Sequence, residues 1–171
     1  MKALLDTNIL LDYLFEREPF VEDAARIFEL IDMRIIEGFI SVQSLKDVFY
    51  LCKKSYGKND PFFAIEKLSY FCKILDVNAD DSMNALISDF SDYEDGLLAF
   101  SAKRNGVDVI ITRNENDFYE SNIPIINPRE IEKCIGNNTN STSEGALQND
   151  DRNGKITVGF IDMDHPGRMN L

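Results

Sequence analysis

Short apolar runs alternate along this chain with stretches of helical spacing, and that alternation restricts the fold more than any other feature. Ala3–Leu5, Phe39–Val42, Ile74–Val77, Val107–Thr112 and Ile123–Ile126 are brief, apolar and bounded by turn-formers. That is the pattern of strands buried on both faces. Between them run segments whose apolar residues recur at helical intervals. These are Asn8 to about Glu16, closed by Pro19, then Phe20–Ile36, ended by Gly38, then Ser44–Ser55. A loop at Tyr56–Asp60 leads to a helix that Pro61 opens and that reaches about Lys73. Asp80 or Asp81 caps a helix through Ile87, Asp92–Asn105 forms another that Gly106 terminates, and Pro128 opens a last one ending near Ile135. Arg113–Phe118 reads as a loop. Strands that alternate with helices in this way make an α/β fold, three layers α/β/α around a central, mostly parallel sheet.

The first strand carries the first chemical question. In KALLDTNILLDYL, Asp6-Thr7-Asn8 interrupts the apolar run before helical spacing resumes at Ile9. Asp6 therefore stands at the carboxyl end of a strand, where open α/β sheets bind ligands. It also stands where a helix N-cap belongs. The spacing alone leaves both readings open.

The charge balance narrows the classes of function. Eighteen basic and 30 acidic residues give a net charge of −12, which is not the basic footprint of a protein that coats nucleic acid. An enzyme that works on nucleic acid through bound cations remains compatible, because the cations reverse the local field. The single histidine, His165, lies far out in the C-terminal tail, which argues against His-assisted Ser or Cys hydrolysis and against zinc sites built on His. Cys52, Cys72 and Cys134 are scattered in apolar helical patterns and read as reduced core residues rather than disulfides or metal ligands. No run of apolar residues is long enough to span a membrane, and the cytoplasm is the expected compartment.

Four carboxylates fall at equivalent places in the pattern. Asp6 follows the first strand, Asp47 lies in the first turns of the helix after FISV, Asp95 lies early in Asp92–Asn105, and Asp117 lies in the loop after VDVIIT. Acids that converge repel one another unless a cation neutralises them. Oxygen-only ligation is the habit of Mg²⁺ and Mn²⁺, which support phosphodiester hydrolysis. Each position also has a plain structural account. Asp92 and Asp95 place negative charge at a helix N-terminus, Asp117 suits a turn, and acids such as Glu29, Glu37, Glu66 and Glu132 read as solvated helix faces.

Four ordered stretches resemble the PIN-domain family of metal-dependent ribonucleases, which includes the VapC-like toxins of bacterial toxin–antitoxin pairs. They are LLDTNILLDYL, FISVQSLKDVFYLCKK, DYEDGLLAFSAKRNGVDVIITRN and TRNENDFYESNIPIINPREI, together spanning about Met1–Ile135. The resemblance implies a catalytic cluster of Asp6, Asp47, Asp95 and Asp117, with Asp6, Asp95 and Asp117 as ligands of Mg²⁺ or Mn²⁺. Asp47 stands where many relatives carry the longer Glu, and Asn114 where many carry Asp. Asn114, Thr7, Thr112 and Asp92 would support the cluster, with Ser41 and Glu94 nearby. The implied activity is endoribonucleolytic hydrolysis of single-stranded RNA, the chain being a toxin with an antitoxin protein as partner and a second copy of itself as dimer mate. The alternative is a PIN-like binding or regulatory module with little catalysis. Arg113, Lys103 and Arg104 offer positive charge for phosphates, although Lys103 and Arg104 equally suit a helix C-terminus.

The resemblance ends before the tail. Residues 136–154 are polar and poor in hydrophobics, as linkers are. Residues 155–171 hold one candidate strand, Lys155–Met163, and an Asp162-Met163-Asp164 motif. Too little chain follows that motif to build a phosphoaspartyl phosphatase. The expected organisation is a PIN-like domain at 1–135, a linker and this tail.

Overall fold

The computed structural model describes residues 1–54 and 60–140. Its strands are β1 (Lys2–Leu5), β2 (Glu37–Ser41), β3 (Lys73–Leu75), β4 (Val109–Ile111) and β5 (Ile125–Ile126). They form one five-stranded sheet in the order β3-β2-β1-β4-β5, and every neighbouring pair is parallel. The helices are α1 (Thr7–Leu14), α2 (Val21–Asp32), α3 (Val42–Lys54), α4 (Pro61–Phe71), α5 (Ala79–Ile87), α6 (Tyr93–Arg104) and α7 (Ile131–Asn140). The expected mixed layers and parallel sheet are both present.

β1 shows why its sequence is apolar without alternation. Ala3, Leu4 and Leu5 are wholly buried, yet successive side chains of a strand point to opposite faces. Ala3 and Leu5 pack with Ile9, Ile27, Phe28, Val48 and Leu68 from α1 to α4. Leu4 packs on the other face with Leu98, Ala99 and Ala102 of α6 and with Phe118. Each fully buried Leu contributes roughly 1.5–3 kcal/mol relative to an exposed one, so a central strand covered on both faces has no tolerance for polar residues.

The chain leaves β1 toward β2 and β3 on one side, then returns to β4 and β5 on the other. The carboxyl ends of β1 and β4 therefore flank the point where the strand order reverses, the place where such sheets form a crevice.

Local details depart from the sequence-based expectations. α2 stops at Asp32 instead of Ile36. Arg34 takes a left-handed φ of 58°, its N–H reaching Ile31 O at 2.9 Å while the Ile35 N–H reaches Leu30 O at 3.0 Å. These two bonds form a Schellman cap with Arg in the position glycine usually takes. Gly38, expected to end the helix, instead lies inside β2. There a Cβ would stand 2.5 Å from Ile31 Cδ1 and 3.0 Å from Cys72 Sγ, so the glycine serves close packing of α2 on the sheet. α5 is capped by Asn78 rather than Asp80 or Asp81, and Asp81 returns the bond in a capping box. Pro128 opens a short 3₁₀ turn, Pro128–Glu130, before α7, and α7 continues to Asn140, through residues expected in the linker. The remainder of that linker, the candidate strand Lys155–Met163 and the Asp162–Asp164 motif lie outside the described residues, as does the loop ahead of Asp60. Cys52 and Cys72 are buried and Cys134 partly so. Among the described residues no helix is long and apolar enough to cross a membrane.

Candidate active site

Asp6 leaves β1 and occupies the N-cap position of α1 in extended conformation, but its side chain makes no capping hydrogen bond. The carboxylate turns toward the neighbouring strand. Thr112, immediately after β4, donates from Oγ1 to Asp6 Oδ2 at 2.7 Å. Asn8 Nδ2 donates to the same oxygen and also to Thr112 Oγ1 at 3.1 Å. The backbone N–H of Asn114 closes the group, donating to Thr112 Oγ1 at 3.0 Å. Burial raises the Asp6 pKa above the ordinary carboxylate value. The Thr112 hydroxyl and the nearby Thr7 and Asn8 amides oppose that rise, and the charge of Asp117 adds to it. Of the two sequence readings of Asp6, the N-cap position is occupied while the side chain is committed elsewhere. Thr7 does not supply the cap either, since its hydroxyl donates to Ser44 Oγ at 3.0 Å.

A cleft of about 240 Å³ opens beside this group, walled by Asp6 and Thr7 at the start of α1, Ser41 at the end of β2, Ser44 and Asp47 of α3, and Glu94 and Asp95 of α6. Ser41 and Ser44 are buried, with hydroxyls 2.9 Å apart, and the Ser44 N–H donates to Ser41 Oγ at 2.9 Å. That bond caps the first turn of α3 and fixes the helix carrying Asp47. The Asp47 carboxylate is partly exposed and lies 3.3 Å from Lys46 Nζ. Asp95 is in the first turn of α6. Its pKa is pushed up to about 7, chiefly by burial, then by the charges of Asp92, Asp6, Asp117 and Glu94. Asp92 itself is the N-cap of α6, accepting from the Glu94 N–H at 2.7 Å and the Asp95 N–H at 3.4 Å.

Asp117 is exposed on a 3₁₀ turn, Glu115–Phe118, and lines an adjoining cleft with Arg113 and Asn114. Its charge is felt at both Asp6 and Asp95. Of the four predicted acids, three thus wall one cleft and the fourth faces it electrostatically from the next. Asn114 reaches the cluster through its backbone and Asp92 through the α6 cap. Ser44 and Gln43 of the cleft wall were not singled out from the sequence. Arg113 takes a different course from a phosphate contact. Its Nε lies 2.8 Å from a buried carboxylate, Asp12 Oδ2. Arg104 is likewise engaged, in ion pairs with Asp81 and Asp76.

The donors of the cleft are carboxylates, hydroxyls and one amide, the set a hard divalent cation prefers. A cation would also relieve the mutual repulsion that adds to the effect of burial on Asp95. Among the described residues, no three acidic, His or Cys side chains already converge on one point. Mg²⁺ does not demand that, since it is usually held by one or two carboxylates with retained waters and substrate phosphates.

The molecule is similar in fold to several solved proteins. A toxin–antitoxin complex from Klebsiella pneumoniae is 26% identical, with a TM-score of 0.56 over 74% of this chain and 97% of that one. DNA-bound VapBC from Salmonella typhimurium is 20% identical, with a TM-score of 0.58 over 75% of this chain and 98% of that one. VapC20 of Mycobacterium tuberculosis, a toxin that cleaves the sarcin–ricin loop, is 16% identical, with a TM-score of 0.51 over 63% of this chain and 86% of that one. No curated protein is significantly similar to the chain. The family model described as the PIN domain matches residues 2–116, a span that holds Asp6, Asp47 and Asp95 and stops one residue short of Asp117. With that span matched and its sheet ordered β3-β2-β1-β4-β5, the chain belongs to the PIN-domain family.

Proposed function

We propose that this chain is an endoribonuclease that hydrolyses phosphodiester bonds in single-stranded RNA with the aid of Mg²⁺ or Mn²⁺, acting as the toxin of a toxin–antitoxin pair in the cytoplasm. The observation that carries the reading is the gathering of Asp6, Asp47, Glu94 and Asp95 on one cleft, with the Asp95 pKa pushed up to about 7 by burial and then by its neighbours' charge. Such a concentration of carboxylates at the carboxyl edge of a parallel sheet costs stability and suits a cation-binding reaction site. Toxin–antitoxin complexes among the solved proteins of this fold, and the RNA cleaved by VapC20, support the toxin and RNA parts. An antitoxin protein is the partner this reading requires, and a second copy of the chain is the dimer mate it expects.

Asp6, Asp95 and Asp117 would hold the ion, with Asp47 supporting it directly or through water. Bound there, the ion supplies Lewis acidity and offsets the charge of the scissile phosphate. Thr112 and Asn8 fix the rotamer of Asp6 and favour its ionised form. A carboxylate oxygen of the cleft that is not spent on the ion would accept the proton of the attacking water. Thr7 and Ser44 offer hydroxyls along the cleft to orient water or a phosphate oxygen. With a net charge of −12, the chain depends on the cation to bring RNA to this edge.

The test is cleavage of a labelled single-stranded RNA by the purified chain with Mn²⁺, Mg²⁺ or EDTA, beside the Asp6→Asn and Asp95→Asn variants. Cleavage that needs metal and fails in both variants is expected. A chain that binds no Mn²⁺ and leaves RNA intact would overturn the proposal. The second reading, a PIN-like binding module with weak catalysis, is favoured by the Lys46–Asp47 ion pair and by the exposure of Asp117 outside the main cleft. It predicts a co-purifying protein partner without nuclease activity.

A further inference from the structure

The ion pair of Asp12 and Arg113 is largely buried and is used by no step above. Asp12, in α1, is fully buried. Arg113 Nε lies 2.8 Å from its Oδ2, while Arg17 stands farther off at 3.9 Å from Oδ1. Both Asp12 oxygens and Arg113 Nε are buried without a directed hydrogen bond among the described residues. The Arg113 guanidinium lies over the Phe20 ring, 4.0 Å from its centroid. A cavity of about 210 Å³ adjoins the pair, with Arg129 and Asp23 on its rim. These two are themselves paired at 3.1 Å, so the rim has no surplus charge to attract a ligand.

A buried ion pair of imperfect geometry is a poor source of stability, since an apolar pair of equal volume does as well or better. Its effect is better sought in what it fixes. Asp12 sits on the helix whose N-cap is Asp6. Arg113 sits between Thr112, which holds Asp6, and Asn114, whose N–H holds Thr112. The turn carrying Asp117 follows directly, with the Asp117 N–H bonded to Asn114 O at 3.1 Å.

We propose that Asp12 and Arg113 are positioning residues, whose pairing against Phe20 clamps segment 112–118 to α1 and so sets the placement of Thr112 and Asp117 relative to Asp6 and Asp95. The inference rests on the reading of the acidic cleft as a metal-dependent nuclease site. Neither residue touches the substrate or the ion; both act through Thr112 and the Asp117 turn.

The test uses the full chain and two variants, Asp12→Asn and the apolar replacement Asp12→Leu/Arg113→Met. It reads the melting temperature, Mn²⁺ affinity by calorimetry, kcat and KM on RNA, and hydrogen exchange at the Asn114 and Asp117 amides. The double variant should melt within a few degrees of the parent. Its Mn²⁺ affinity should fall by roughly 10- to 100-fold, as for lost outer partners of metal ligands. Its kcat should fall more than its KM changes, and the two amides should exchange faster. Asp12→Asn should lower Mn²⁺ affinity and kcat and speed the two amides in the same direction, while melting below the double variant because Arg113 is left without its partner, and it decides the matter if the double variant does not fold. Parent-like Mn²⁺ affinity, kcat and amide exchange in a folded variant overturn the proposal. Should the parent itself bind no Mn²⁺, the nuclease reading fails separately. Amide exchange then still judges the clamp, with faster exchange upholding it and unchanged exchange refuting it.

Discussion

Thr112 Oγ1 donates to Asp6 Oδ2 across 2.7 Å, so the ends of the two central strands β1 and β4 are joined through a carboxylate of the active-site cleft. Thr112→Val keeps the shape and removes the donor. Burial already raises the Asp6 pKa and Thr112 restrains that rise, so the variant should lift it further. A carboxyl group with a raised folded pKa lowers stability in its ionised form, above that pKa, and is neutral in its effect below the unfolded value. The variant should therefore lose about 2 kcal/mol at pH 8, in the range for hydrogen bonds to charged groups, and less at pH 4.5. Urea unfolding in EDTA at the two pH values measures this. Equal losses at both would mean that Thr112 acts on packing alone.

Asp95 offers the opposite exchange of stability for function. Its folded pKa of about 7 lies above the ordinary value of 3.8, with burial the largest cause and neighbouring acids next. Without metal the folded state binds more protons than the unfolded state between those values, so stability falls as pH rises from about 4 to 7. Asp95→Asn removes that term. The unfolding curves of variant and parent should coincide near pH 4 and separate toward pH 8. The variant should then be more stable by on the order of 2 kcal/mol once solvent screening of a partly exposed group is allowed for. The same variant should lose the stabilisation that excess Mn²⁺ gives the parent, about 2.7 kcal/mol at 100 times the dissociation constant.

Two helix ends show what was legible in the sequence and what was not. Gly106 was read as the end of α6, and it takes φ 63° with the paired bonds Gly106 N–H to Lys103 O and Val107 N–H to Ala102 O. Arg34 builds the same cap on α2, but no residue type announces it, and the adjacent Gly38 drew attention to the wrong place. Arg34→Gly removes the left-handed strain of a residue with Cβ, a cost of about 1–2 kcal/mol, and adds back the larger unfolded-state entropy of glycine. A net gain of about 0.5–1 kcal/mol is expected, read as a higher urea midpoint at unchanged slope. Destabilisation would show that the Arg34 side chain contributes more than its backbone costs.

The site divides in the same way. Strand-end positions follow from local pattern, so the segments carrying Asp6, Asp47 and Asp117 could be placed on one edge before any coordinates, with Asp95 at a helix start facing it, because a parallel sheet brings its carboxyl ends together. What pattern cannot give is the partner across the fold. No pattern singles out Asp12, and Arg113 reads as a phosphate contact, yet the two lie 2.8 Å apart. Gly38 owes its identity to Ile31 and Cys72, contacts that no local window contains. Gly38→Ala should accordingly cost about 1–3 kcal/mol, the range for overpacking a core. Ile31→Val in addition should recover part of it, which a double-mutant cycle in urea would show.

Asp81 and Arg104 hold the hairpin that aims Asp95. Asp81 is buried at the start of α5, where it completes the capping box with Asn78. Its carboxylate receives Arg104, from the last turn of α6, through Nε at 3.0 Å and Nη2 at 2.8 Å. Burial alone would raise its pKa, but the Arg104 hydrogen bonds and the Asn78 amide outweigh that and hold it below the ordinary value. The sign is thus the reverse of Asp95. The folded state favours the ionised form, so the contribution is complete above the unfolded pKa near 3.8 and is lost as pH falls through the lower folded value. Arg104→Met leaves a buried carboxylate without its cation and should destabilise the chain at pH 7, with the penalty shrinking below pH 4. Loosening of the α5–α6 hairpin should also reach the active edge, because Asp92 and Asp95 begin α6. Mn²⁺ affinity should fall several-fold in Arg104→Met, although Arg104 lies at the other end of the helix from the cleft. A variant that is destabilised at pH 7 and pH 3.5 alike would show that Arg104 contributes packing rather than charge.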